Sequence, residues 1–257
     1  MWTTFTDKVR KAFTDAADQY DILTSLHKEI GRELVKKTIK MEANRILDVG
    51  CGTGYAANKA KFFFPESAII GLDLSEGMLA KAQELHEGIP IDWVQADGAK
   101  LPFKDQTFEL ILSNLAYQWV LNLPQGFKEA RRCLAPQGIL NITLFGSRTC
   151  EELFASLKAI QPELDLQVLP AVDDVHYALA KAGFKNKKVD YELIKVQFKD
   201  VLELLTWLKS IGSNRLGEGA FLGKQTMEKL NAHYRLYFPY NEGICASFEV
   251  IWVYAQA

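Results

Sequence analysis

The sequence predicts an α/β fold built on a mostly parallel β-sheet with helices on both faces. Three observations carry that prediction. Short apolar runs of strand length alternate with stretches of helical period, the first run ends in a glycine cluster, and acids recur at successive strand ends.

The N-terminal residues 1–40 read as helical. Phe13, Ala16, Ala17 and Tyr20 share one face, and Ile22, Leu26, Ile30 and Leu34 continue the 3.6-residue period. The period then changes. Apolar runs at Arg45–Val49, Ala68–Leu74, Ile91–Gln95, Phe108–Ser113 and Gly138–Phe145 have strand length, with helix-like segments near 54–64, 76–86 and 124–134. Such βαβ alternation implies parallel strands buried on both faces. Pro136-Gln137-Gly138 reads as the turn into the fifth strand. Helix-like stretches follow at 150–160 and 173–182, the second stopping at Gly183. Val189–Phe198 and Phe248–Ala255 read as further strands, and residues 200–235 between them are helical at first, then Gly-rich around IGSNRLGEGAFLG. With no repeat and no flexible linker, 1–257 is expected to form a single domain: a helical segment over 1–40, a core over 41–145, and a C-terminal half over 146–257 carrying an insertion near 200–235.

Composition narrows the function classes. With 48% hydrophobic residues the chain can bury a sizeable core, and a net charge of −2 gives no global pull toward nucleic acid or anionic membrane. No apolar run approaches the roughly 18 residues of a membrane span. The start, MWTTFTDKVRKAF, has neither a secretory apolar core nor a small-residue cleavage site. Cys51, Cys133, Cys150 and Cys245 show no CxxC spacing, so neither a disulfide framework nor a metal site is expected, and a reducing cytoplasmic setting is the default.

The strongest signal is RILDVGCGTG, residues 45–54, in which a strand runs into Gly50, Gly52 and Gly54 at the mouth of a helix. Glycines there let the backbone approach a ligand outside the carboxyl end of a strand, as in Rossmann-like sheets. The spacing is GxGxG rather than the GxGxxG of dinucleotide folds, and Asp48 precedes the first glycine. A carboxylate there repels a pyrophosphate but suits an ammonium or sulfonium group. Asp73 ends the second strand, 23 residues after Gly50, where a carboxylate can accept from ribose hydroxyls. Asp97 follows the third strand, within reach of an adenine amino group. Taken singly each acid could be a cap or a solvated charge, and Ser75 could cap the next helix.

With these residues in order, LDVGCGTG, GLDLSEGML, QADGAKLPF and FELILSNLAYQW, the chain resembles the class I S-adenosylmethionine-dependent methyltransferases over residues 45–145. The resemblance implies a seven-stranded sheet with a helical lid from the N-terminus and the late insertion, and S-adenosyl-L-methionine as cofactor. It implies that Gly50, Cys51, Gly52, Thr53 and Gly54 bracket the methionine moiety, with Asp48 near its amino group. Asp73 would bind the ribose, with Leu74 and Met78 beside the cofactor. Asp97, Gly98 and Ala99 would border the adenine, while Asn114 and Leu115 would face the methionine end and the acceptor channel.

A narrower resemblance rests on FTDAADQYD, SNLAYQW, VLP before a helix, and LKSIGSNRLGEG. In order and spacing these are similar to the malonyl-[acyl-carrier protein] O-methyltransferases of biotin synthesis. That resemblance implies methylation of the free carboxylate of a malonyl thioester, carried on acyl-carrier protein or coenzyme A. It also marks Tyr20 as a lid residue. His27 stands where the subfamily commonly has Gln, and Tyr117 where a smaller aliphatic residue is usual.

A carboxylate acceptor titrates around 4, so it is already ionised near neutral pH and needs no general base. Alignment of the reactants and exclusion of water then supply the catalysis. His27, Gln118 and Trp119 are the candidate acceptor contacts, and Arg148 or Arg215 could fork a carboxylate. A carrier protein is acidic. Lys181, Lys185, Lys187 and Lys188, or the Arg131–Arg132 pair, could meet it, although lysines also favour helix C-termini. The alternatives are methylation of another small molecule, such as a different carboxylic acid or a quinone precursor, and a non-catalytic cofactor-binding module.

Overall fold

The computed structural model describes residues 4–164, 168–212 and 223–257. The N-terminal helical stretch is two helices, α1 (Thr4–Leu23) and α2 (Ser25–Lys36), broken at Thr24, whose hydroxyl turns back to donate to the Tyr20 carbonyl at 2.6 Å. The alternating core follows as β1 (Arg45–Val49), α3 (Tyr55–Phe63), β2 (Ala68–Asp73), α4 (Glu76–Leu85), β3 (Ile91–Gln95), β4 (Phe108–Asn114), α5 (Leu123–Cys133) and β5 (Leu134–Phe145). The C-terminal half adds α6 (Glu151–Ile160), α7 (Val172–Ala182), β6 (Asn186–Phe198), α8 (Val201–Ser210), α9 (Lys224–Tyr237), β7 (Pro239–Tyr240) and β8 (Gly243–Gln256).

The strand order is β3-β2-β1-β4-β5-β8-β6. The first five strands are mutually parallel, and β8 lies antiparallel between β5 and β6. The chain leaves β1 toward β2 on one side and returns through β4 on the other. That reversal opens a crevice at the carboxyl ends of β1 and β4, where open α/β sheets bind ligands. Seven long strands match the expected sheet. The eighth is β7, a two-residue strand paired to β8 and too short to leave a period in the sequence.

Apolar side chains pack on both faces. Val35, Ala57 and Ala60 cover one, while Phe127, Val175 and Leu179 cover the other, and a further cluster joins Leu153, Leu204, Leu230 and Phe248. The expected turn at Pro136–Gly138 interrupts β5: its register against β4 jumps from Phe108↔Leu134 to Leu110↔Ile139, with Gln137 at φ 65°. Helix α9 was not expected. It buries only Leu230 and Tyr234, one turn apart, and has no side-chain cap, so its apolar stripe is thin. Helix α8 braces the N-terminal pair, the Trp207 indole donating to the Leu23 carbonyl at 2.9 Å.

The basic clusters lie away from the crevice. Lys187 and Lys188 open β6 rather than close a helix, and they pair with Ala255 and Tyr254, which face the start of β5. They sit on the edge strand of the sheet, four strands across from β1 and the glycine loop. Arg132 is held by Glu129, Asp105 and the Leu101 and Phe103 carbonyls, and Arg131 donates to the Gly183 carbonyl. All four cysteines are buried. Among the described residues, no helix is long and apolar enough to cross a membrane.

Candidate active site

Strand β1 delivers the glycine loop to the crevice. The amides of Gly50 and Cys51 both donate to the Leu72 carbonyl, at 2.7 and 3.0 Å, folding the loop tightly over the end of β2. Gly50 has φ +69°, and a Cβ there would lie 2.2 Å from the Ala116 Cβ, so only glycine fits. Gly54 serves a different purpose from the one expected. A Cβ on it would lie 2.5 Å from Trp93 and 2.8 Å from His86, so it packs the loop against that stacked pair and does not face the crevice.

The crevice holds a cavity of about 540 Å³, the size of a small-molecule site. Of the expected cofactor residues, Gly50, Gly52, Asp73, Leu74, Met78, Asp97, Gly98, Ala99, Asn114 and Leu115 line it. The Asp73 carboxylate accepts from the Gly52 and Ser75 amides, each at 2.8 Å, which fixes it at the cavity wall with lone pairs to spare. Burial raises its pKa, and those amides oppose the rise. Asp97 is held in the same way by the Ala99 amide at 2.8 Å. Asn114 carries a second role: its amide donates to the His27 carbonyl and accepts from Thr143, tying α2 to the sheet.

Asp48, Cys51 and Thr53 line a separate small cavity of about 40 Å³ between the α1–α2 turn and the glycine loop. Asp48 is 1% exposed, and neither carboxylate oxygen has a formed hydrogen bond. Burial pushes it up to about 7, the Ala57 amide opposes the rise, and the Asp73 charge adds to it by less. An enclosed carboxylate with no partner fits a cationic group that arrives from outside.

A third chamber of about 30 Å³ adjoins the large cavity, sharing Phe13, Tyr20, Leu115 and Trp119 with it. Leu115 holds φ 55°, a left-handed conformation that is costly for a branched side chain and is found where structure serves a site. The chamber brings together the expected acceptor residues His27, Gln118 and Trp119 with Phe145 and Phe248. Gln118 donates to the Leu115 carbonyl at 2.8 Å, while its Oε1 and His27 Nδ1 are enclosed without partners. Burial lowers His27 to about 4, so the ring is neutral at pH 7. The Tyr20 hydroxyl is raised by burial and by the charges of Asp73 and Asp21, and stays protonated. Among the described residues, no Lys or Arg lines this chamber. Arg148 points away, exposed and paired with Glu151. Arg215 lies outside the described residues.

Of the residues that fasten α1 and α2, only Thr53 and Ser75 were named from the sequence, and for other roles. Thr53 donates its hydroxyl to Asp21, Lys28 pairs with Asp21 at 2.7 Å, Thr14 meets Ser75 at 2.9 Å, and Arg10 donates to Glu76 at 2.6 Å. The sequence does carry a signal for the α1 face over the cavity, though not for its fastenings: Thr6, Val9, Arg10, Phe13 and Tyr20 recur at helical spacing and line the large cavity.

Comparison with known proteins gives these features a family. Residues 47–142 match the family described as "Methyltransferase domain". Over 95% of its length the chain is 32% identical to the malonyl-[acyl-carrier protein] O-methyltransferase of Geobacter sulfurreducens, covering 96% of that protein. It is 30% identical, over 96% of its length, to the protein of the same name from a Methylovorus species, covering 88% of it. The YcgJ protein of Bacillus subtilis shares the fold, with a TM-score of 0.63 over 87% of this chain and 97% of that one at 17% identity. S-adenosyl-L-methionine is therefore the cofactor, and the enclosed Asp48 and the anchored Asp73 suit its cationic and ribose ends. From the glycine loop to the lid, the chain belongs to the malonyl-[acyl-carrier protein] O-methyltransferase family of class I S-adenosylmethionine-dependent methyltransferases.

Proposed function

We propose that the chain methylates the free carboxylate of a malonyl thioester, on acyl-carrier protein or coenzyme A, as a cytoplasmic step of biotin synthesis. The observation that carries this reading is the near-full-length match to two relatives bearing that activity in their names. The third chamber supports it. The cofactor supplies a methyl group on an already activated sulfonium. When it is bound, that methyl would pass from sulfur to the carboxylate oxygen, with S-adenosylhomocysteine as the leaving group, the methyl ester as product and no proton to move. The chain's own residues then have three tasks.

Asp73 holds the ribose, Asp97 with Gly98 and Ala99 borders the adenine, and Asp48 takes the ammonium, which fixes the donor. Tyr20, His27 and Gln118 orient the acceptor oxygen with neutral polar groups, and Trp119 with Phe13 walls out water. Tyr20, held protonated, is no general base at pH 7, burial makes the neutral His27 ring a weak one, and an ionised carboxylate needs none. Neutral groups also leave the carboxylate its nucleophilicity, which a bidentate arginine would damp. Mass spectrometry of malonyl-carrier protein incubated with the enzyme and S-adenosylmethionine is expected to show one added methyl group. No added methyl on the carrier or on malonyl-coenzyme A would overturn the reading.

A further inference from the structure

The small cavity beneath the α1–α2 turn holds more charge than its size suggests. On the strand side stands Asp48, enclosed and without a formed hydrogen bond. On the lid side stand Asp21 and Lys28. Asp21 is satisfied at both oxygens, by the Thr53 hydroxyl and by Lys28 Nζ at 2.7 Å. Lys28 is not. Its ammonium has three protons, of which one serves the Asp21 carboxylate and one the Asp21 carbonyl at 2.9 Å. The third has no hydrogen-bond partner among the described residues, and the nearest aromatic face, Tyr55, is 5.8 Å away. One cavity thus presents an unpaired anion and a cation with a spare donor, the complement of an amino-acid zwitterion. Its floor is the glycine loop, where a Cβ on Gly52 would meet nothing nearer than Tyr20 at 3.9 Å.

We propose that Lys28 binds the α-carboxylate of the cofactor's methionine end, opposite Asp48, which takes the α-ammonium. The proposal rests on the reading that the glycine-loop end of the site receives the methionine moiety. Lys28 belongs to α2 and Asp48 to β1, so the cofactor's own zwitterion joins lid to sheet. A free amino-acid end is then part of what this enzyme recognises, in addition to the nucleoside.

Titration calorimetry with S-adenosylmethionine and its decarboxylated analogue tests this, because the two ligands share adenosine, sulfonium and amine and differ in the carboxylate alone. Wild type is expected to prefer S-adenosylmethionine about tenfold or more, the scale of one charge-assisted hydrogen bond. Lys28→Met should bring the two affinities within about twofold by weakening S-adenosylmethionine alone, and Lys28→Arg should restore the preference. Should Lys28→Met fail to fold because Asp21 is stranded, the double variant Asp21→Asn/Lys28→Met removes both charges and gives the same comparison. Equal weakening of both ligands would make Lys28 a structural clamp on Asp21, and an intact preference would place the carboxylate elsewhere. Wild type with no preference at all would overturn the placement of the methionine end itself.

Discussion

Thr14 on the lid helix α1 and Ser75, the N-cap of α4, face each other hydroxyl to hydroxyl at 2.9 Å. Ser75 also donates its amide to Asp73 and caps the Met78 amide. One serine therefore joins α1, Asp73 and the start of α4. The seating of α1 and the ordering of Asp73 are expected to be coupled through it.

Thr14→Val removes one hydroxyl at nearly constant volume and tests that coupling. One such hydrogen bond contributes about 0.5–1.5 kcal/mol, so the cofactor should dissociate roughly two- to tenfold faster. Ser75 keeps its cap, so the melting temperature should change little. A dissociation rate equal to wild type by stopped-flow would show that the lid closes without this latch.

Asp48→Asn should trade binding for stability, with a sign that depends on pH. The folded carboxyl titrates at about 7 and an unfolded one near 3.9. Between those values the folded state holds a proton that the unfolded state has lost, so stability falls as pH rises toward 7 and stays low above it. The Asn variant lacks this loss. It should melt higher than wild type at pH 8 and equally at pH 4, with a difference of order a few kcal/mol. S-adenosylmethionine needs the ionised form, so wild-type affinity should climb with pH up to about 7 with release of a proton. In Asp48→Asn the affinity should be lower and flat with pH. Calorimetry in buffers of different ionisation enthalpy reads the proton directly.

His27→Gln reverses the pH argument. The folded ring titrates at about 4 and an unfolded histidine near 6.5, so the unfolded state binds more protons between them. Stability is full above 6.5 and is lost as pH falls toward 4. At pH 5 this costs wild type at most about 2 kcal/mol, which the glutamine variant should recover. Melting curves that fall in parallel for the two proteins from pH 7 to pH 5 would place the acid-sensitive group elsewhere.

The sequence exposed those parts of the molecule whose physics is local. RILDVGCGTG announced a strand, a turn and a ligand approach because each demand falls on consecutive residues, and Asp73 and Asp97 followed at strand ends. Gly54 shows the limit. A positive φ is legible in a glycine, but whether it faces ligand or Trp93 depends on β3, nearly 40 residues later. The lid fastenings were illegible for the same reason, since Asp21–Thr53 and Thr14–Ser75 join residues 32 and 61 positions apart. Lys28 carries no local signal, because only the fold brings it to the cavity that Asp48 also lines.

Substrate class is tested by chain length at the acceptor. On the proposed reading the acceptor carboxylate enters the third chamber, which at about 30 Å³ has little further room and shares Leu115 and Tyr20 with the large cavity. A malonyl thioester places its carboxylate one methylene from the thioester carbonyl. An acetyl thioester offers no carboxylate oxygen and should give no product. A succinyl thioester keeps the oxygen but shifts it by one methylene, and a misfit of that size is worth about 1–3 kcal/mol, or roughly 10–200-fold in kcat/KM. Succinyl should therefore react slowly rather than not at all. Gln118→Ala enlarges the chamber beside Leu115 and should narrow the malonyl-to-succinyl ratio while leaving S-adenosylmethionine affinity within about twofold, because Gln118 lines the chamber and not the large cavity. A quinone precursor assayed alongside completes the comparison. Methylation of that compound with none of the malonyl thioester would refute the proposed substrate, and the protein would remain a methyltransferase whose small chamber receives a different acceptor.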